Sequence, residues 1–295
     1  MIGWVVQVVG GLACGAAVGA LVVPQAADAL LGRAYRRSRS WWWDSFRLYR
    51  AARKASRRAG EASADEGGPF AAWLDDSLRA AGQGTLARER AIALRGEGLP
   101  ADPERAVRTE RQQKERCSFA PTRRRRAACA AAGAVAGAAL AAAALPWASA
   151  LAAGVCATAM LVAVACDLKA RMIPLECCAA LAAAGGALQA LAAGPAGLAA
   201  GLVFAAVAAG ACLAANRVAG RGRALPVGHG DIRCMAALSL ATGAAAPAGL
   251  LACYMSAAAF SLAGLAARRL TLRSGIPMAP FLSLWLACGV ACLAC

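Results

Sequence analysis

Two aspartates give the apolar part of this chain its chemistry. Asp231 stands in Val227–Gly228–His229–Gly230–Asp231–Ile232–Arg233, between glycines at the mouth of an apolar segment, and Asp167 closes another apolar run. Beyond Arg126, over more than half of the chain, the only other acidic residue is Glu176. An ionisable group in or near a bilayer is costly enough to mark a functional site by default. Two carboxylates brought close together cannot easily both ionise, so they share a proton and titrate as a pair. One can then act as base toward a water while the other donates to a scissile carbonyl. A Ser–His or Cys–His nucleophile has no comparable basis, because His229 is the single histidine. Gly228 and Gly230 remove side chains and permit unusual dihedrals, so that a peptide backbone could come close to the carboxylate. The same residues also read as a glycine-rich loop whose aspartate caps a helix. Asp167 likewise reads as a polar loop residue balancing Lys169 and Arg171.

The elements that must hold this pair are membrane helices. Of the 295 residues 60% are hydrophobic and 16% charged, and mean hydropathy is +0.54. A spanning helix needs roughly 20 mostly apolar residues, and several such runs are present. Alanine and glycine dominate them, which lets neighbouring helices approach closely in lipid. The fold class is therefore an all-α polytopic membrane protein.

Net charge is +16, but the basic residues lie between the apolar runs. That is the arrangement of the positive-inside rule, under which cytoplasmic loops collect Lys and Arg. Nucleic acid is accordingly not an expected partner, and the lipid bilayer is. Most of the 13 cysteines sit singly in apolar runs, as Cys156, Cys212 and Cys253 do. Free cysteine behaves there as a small hydrophobe. Cys288, Cys292 and Cys295 cluster at the C-terminus without a histidine or a second cysteine pair. No metal site or cofactor is expected.

Three regions follow. Residues 1–31 form an N-terminal transmembrane helix, too long and lacking the leading basic region of a signal peptide, with a kink expected at Pro24. Residues 32–126 form a basic cytoplasmic loop holding 23 of the 32 Lys and Arg and 12 of the 16 Asp and Glu. Gly67, Gly68 and Pro69, then Gly96, Gly98 and Pro100, limit this loop to a few short helices. Trp41, Trp42, Trp43, Phe46 and Tyr49 beside Arg47, Arg50 and Arg53 suit a membrane interface. Residues 127–295 carry the remaining apolar runs, at 127–145, 147–166, 175–193, 196–216, two within 234–267 broken near 243–247, and 277–295. Two crossings within 234–267 keep every basic residue on one side. The expectation is eight transmembrane helices with both termini outside and both aspartates at the cytoplasmic level.

Taken together, three pieces resemble the type IV prepilin peptidase family of membrane aspartic proteases. Asp167 precedes Ile173–Pro174 by six residues. Gly228-x-Gly230-Asp231-x-Arg233 follows, and Gly275-Ile276-Pro277-x-x-Pro280-Phe281-Leu282 comes last. All stand in the family's order, over about residues 127–295. The resemblance implies a six-helix G-x-G-D protease bundle in which Asp167 and Asp231 are the catalytic dyad and Gly228 and Gly230 shape the active-site loop. It also implies an endopeptidase of the inner (cytoplasmic) membrane that removes the basic leader from prepilin or pseudopilin precursors, without metal or cofactor. Larger family members carry paired C-x-x-C motifs in the first cytoplasmic loop, and many methylate the new N-terminus. Residues 32–126 contain only Cys117, so methyltransferase activity is not expected. Leu175 stands where the family usually has Asn or Asp. Glu176 reads as a helix-dipole acid, and His229 and Arg233 as neighbours of the site. The alternatives are a catalytically silent pilus or secretion assembly factor, and a proton-coupled transporter.

Overall fold

The structure, a computed structural model, describes residues 2–58, 117–219, 227–269 and 276–294. In the first helix it describes side chains over residues 4–35. The described residues contain no strand and eight α-helices: α1 Ile2–Arg58, α2 Arg123–Ala142, α3 Trp147–Ala170, α4 Leu175–Ala192, α5 Gly194–Ala219, α6 His229–Thr242, α7 Ala246–Ala266 and α8 Ala279–Ala294. Among the described residues five segments are long and apolar enough to cross a membrane: Trp4–Tyr35, Trp147–Ala170, Leu175–Ala192, Gly194–Val218 and His229–Ala266. This is the make-up of a helical, multi-pass membrane protein. The chain divides into a helical unit of residues 1–30 and 119–295 and a second unit of residues 31–118. The turn signals at 67–69 and 96–100 lie outside the described residues.

The opening helix does not stop at residue 31 but runs on to Arg58. From Gly32 to Arg58 the chain has no proline and no further glycine, and the Ala and Arg that dominate it are good helix formers. Polarity changes at Leu31, but backbone preference does not. Within the first unit, α1 and α2 are packed antiparallel through small residues. A Cβ placed on Gly11, Gly15 or Gly19 would run into the Gly137, Gly133 or Cys129 carbonyl respectively. Only hydrogen at these positions allows the two backbones to touch, the packing that small-xxx-small spacing permits. At one end of this pair, Asp28 Oδ1 accepts from the Phe119 N–H at 2.8 Å. Arg125 bonds the Phe119 and Ala120 carbonyls at 2.8 and 3.1 Å.

The remaining helices form a bundle around α6. Leu181 and Leu188 of α4, Leu238 of α6, and Leu282 and Trp285 of α8 are fully buried. The break expected near 243–247 is present. Gly243 takes φ +54° and ψ −127°, a conformation glycine tolerates and most residues do not. A 3-10 turn, Gly243–Ala245, leads into α7. Tyr254 on α7 donates to Met235 Sδ on α6 at 3.9 Å. In an unbroken helix those residues would stand about 28 Å apart, so the chain reverses at this turn. At about 21 Å long, α6 is shorter than the roughly 30 Å hydrocarbon core.

Contacts between helix ends show which termini lie together. Asp167 at the end of α3 bonds Ala279 at the start of α8. Phe260, near the end of α7, packs on Phe281 with ring centroids 5.5 Å apart. The Cys178 thiol, in the first turn of α4, reaches the Gly230 carbonyl in the first turn of α6. Cys166, beside Asp167, reaches the Ala27 carbonyl of α1. Lys169, Arg171, Arg217, Arg233, Arg268, Arg269 and the four arginines at 123–126 therefore all belong to the end of the bundle that holds both aspartates.

Gly15 and Gly10 offer a test of the α1–α2 contact, because a Cβ on Gly10 would meet nothing within 4 Å. Gly15→Ala should lower stability by about 1–3 kcal/mol through overpacking. Gly10→Ala should leave it unchanged or raise it by about 0.5–1 kcal/mol through helix propensity. Thermal unfolding of the two variants in detergent measures the difference; equal melting temperatures would mean that the helices do not touch at Gly15.

Candidate active site

Asp167 lies inside α3, on its last turn, and not in the loop that follows. The helix continues through Leu168 and Lys169 to Ala170, and Arg171 caps it in the left-handed region at φ 54° with its N–H on the Asp167 carbonyl. The Asp167 side chain is buried, 5% exposed, and Oδ2 accepts from the Ala279 N–H at 2.9 Å. The Met278 N–H and the charge of Arg171 also act on this carboxylate. The first N–H groups of a helix have no partner within it, and the positive end of its dipole favours an anion. α8 begins at Ala279, with the Phe281 and Leu282 N–H groups returning to the Met278 carbonyl at 3.0 Å. Asp167 thus caps α8 from another helix. This gives the Ile276–Pro277–Met278–Ala279–Pro280 stretch a mechanical role: it turns a helix start onto the carboxylate. Gly275 lies outside the described residues.

Asp231 occupies the third position of α6, after Gly228 at the N-cap. Gly228 lies against the Asp231 carboxyl group with its N–H facing it, and the Ile232 N–H returns to the Gly228 carbonyl at 3.1 Å. This is the backward reach of a capping box, with an aspartate at the usual glutamate position. The glycines differ from the sequence expectation here. Gly228 has φ −64° and ψ 143°, angles open to any residue, and Gly230 is helical with no positive φ. What Gly228 contributes is space. A Cβ on Gly228 would lie 2.9 Å from Asp231 Oδ2, and one on Gly230 would lie 3.4 Å from Ile173 Cβ. The room vacated at Gly228 is filled by Asp231's own carboxyl group.

The Asp167 carboxylate lies close enough for its charge to act on Asp231. One stands on the last turn of α3 and the other on the first turn of α6. The Ile173–Pro174 turn packs between their helices against Gly230, with both residues buried. Among the described residues no three His, Cys, Asp or Glu side chains come together as metal ligands would. Glu176 is exposed in the first turn of α4, where an acid suits the helix dipole. His229 is half-buried as the first residue of α6, and Arg233 is exposed.

Asn216 was not distinguishable from the sequence. It closes an apolar run and reads there as a helix end, whereas the structure buries it and sets its amide on Val227, beside the site. Its one legible signal was being the sole amide in that run.

Removing the Asp167 carboxyl would orphan a buried N–H, which costs about 1–3 kcal/mol. Asp167→Ala should therefore lower stability by that amount, with Asp167→Asn recovering most of it, since the amide oxygen can still accept from Ala279. Denaturation of the purified variants measures this; an Asp167→Ala protein as stable as the parent would show that the bond to α8 carries no weight.

The chain matches no family model, no curated protein and no solved structure.

Proposed function

We propose that this chain is a membrane aspartic endopeptidase that removes the basic leader from prepilin or pseudopilin precursors at the cytoplasmic face of the inner membrane. The observation that carries the proposal is the approach of Asp167 and Asp231. The two come from separate helices and stand at the same end of an apolar bundle, with Asp231 within reach of the Asp167 charge. The three-part sequence resemblance adds the substrate class. The gathering of the described basic residues of this unit at the same end adds the orientation, since such an end faces the cytoplasm. On this reading all eight helices cross the membrane and the last six form the protease bundle, with the short α6 and α7 as a helical hairpin.

The chemistry needs few parts. A water held between the carboxylates gives its proton to one of them as its oxygen attacks the scissile carbonyl carbon. The other carboxyl donates its proton to the carbonyl oxygen, so the tetrahedral intermediate forms without a buried oxyanion. Collapse breaks the C–N bond: the departing amine takes a proton from the protonated carboxyl while a hydroxyl of the intermediate returns its proton to the other, which restores the singly protonated dyad. The backbone bond from Ala279 fixes the orientation of Asp167 through Oδ2 alone. A carboxylate has about four acceptor positions, so capacity for the water remains. The position of both aspartates at one end, away from mid-bilayer, speaks against a proton-coupled transporter, whose acids lie near the midplane.

Asp167→Asn and Asp231→Asn should each lower leader removal from a co-expressed pilin-like precursor on the order of a thousandfold or more. Both variants should accumulate to parental levels. Immunoblotting of precursor and mature forms reads the outcome. Full processing by both variants would overturn the proposal, and absence of processing by the parent chain would leave the silent assembly factor.

A further inference from the structure

We infer that Asn216 is a positioning residue for the Asp231 carboxyl group, acting through Val227 and Gly228; its effect on turnover rests on the proposed protease chemistry. Asn216 lies in the last turns of α5 with its side chain 7% exposed. Nδ2 donates to the Val227 carbonyl at 2.9 Å, and Oδ1 accepts from the Val227 N–H at 3.0 Å. A carboxamide carries donor and acceptor on one planar group, so it pairs with one residue's backbone as a neighbouring strand would. A single bond would let Val227 swing about it. Two bonds to the same residue fix both the position and the rotation of its peptide groups.

Val227 is the residue before the N-cap of α6. The Gly228 N–H faces the Asp231 carboxylate, and Gly228 lies so close to Oδ2 that a Cβ would be 2.9 Å away. The order of contacts is therefore Asn216, Val227, Gly228, Asp231. A shift of Val227 moves the donor that orients the carboxyl group. Cys178, from the other side, touches the Gly230 carbonyl with a thiol 4.0 Å away, a weak partner that cannot replace a two-point amide clamp. Asparagine is specific to this task. Aspartate has the same shape but would set an oxygen against the Val227 carbonyl. Leucine would lose both bonds.

The test uses the full-length chain in detergent, with Asn216→Leu and Asn216→Asp, and two readouts. Amide hydrogen exchange reads the clamp without reference to activity. Exchange should quicken about tenfold or more at Val227 and also at Gly228, whose N–H faces Asp231, while α3 and α4 keep their protection. Cleavage of a leader-bearing pilin-like peptide reads the consequence. With Asn216→Leu, kcat should fall about ten- to a hundredfold, the effect of a small misplacement of a catalytic group, with KM within about twofold. Asn216→Asp, which keeps one bond, should fall between this variant and the parent, and it carries the comparison alone if Asn216→Leu does not accumulate. Unchanged exchange at Gly228 in whichever variant accumulates would overturn the inference, as would a rise in KM at constant kcat. If the parent chain cleaves nothing, quickened exchange at both amides still upholds the positioning role, and the protease reading alone fails.

Discussion

A carboxyl group inside an apolar bundle must receive its hydrogen bonds from the protein, because the surroundings offer none. Here helix starts supply them. Asp167 is served by the first N–H of α8, and the half-buried Asp231 faces the N-cap of its own helix, α6. Both donors are groups that a helix terminus leaves unsatisfied in any case, so each bond settles two needs at once. The requirement orders the connections as well. α3 must end where α6 and α8 begin, and the reversal at Gly243 returns the chain along α7 so that α8 can start beside Asp167.

The opposite end of α6 is held by groups with no part in the proposed chemistry. The Gln189 amide, almost fully buried in α4, donates to the Ala241 carbonyl at 2.8 Å. Trp285 Nε1 of α8 donates to Thr242 Oγ1 at 3.0 Å, and Thr242 in turn bonds the Leu238 carbonyl. Close approaches fit around these bonds, Gly249 against the Trp285 ring and Gly289 against Thr242. A helix of fourteen residues has too little apolar length to be fixed by the membrane alone. Its placement comes from polar bonds at one end and from Asn216, Cys178 and Gly228 at the other.

The sequence made the broad design legible, and the reasons are local. Gly194–Pro195 and Gly243 through Pro247 marked helix junctions because a positive φ or a missing N–H cannot be hidden in an apolar run; both glycines do take positive φ. Asp167 and Asp231 stood out by scarcity in an apolar region. Other features left no trace. α3 continues past Asp167 because its terminating residue is Arg171 in a left-handed conformation, where a glycine would ordinarily announce the end. Likewise α1 passes residue 31 because a change in polarity is not a change in helix propensity. The glycines around Asp231 pointed to backbone freedom, but the space left at Gly228 is taken by Asp231's own carboxyl group. Which of these applies depends on what stands opposite the missing Cβ, and one sequence cannot say.

The same contrast explains how the third motif works. From the sequence, Ile276, Pro277 and Pro280 are simply the opening of a final apolar helix. In the fold, Pro277 lies just outside α8 and Pro280 is its second residue, where the missing proline N–H costs nothing and the fixed φ suits the start of a helix. With that donor absent, the N–H groups of Met278 and Ala279 are the ones aimed at Asp167. A helix start with a full set of donors would offer the carboxylate several competing geometries. Two prolines around two N–H groups reduce the choice, and a carboxyl group that must meet a partner from another helix gains a fixed orientation. On the proposed reading, that fixed orientation is what an aspartyl dyad requires before any substrate arrives.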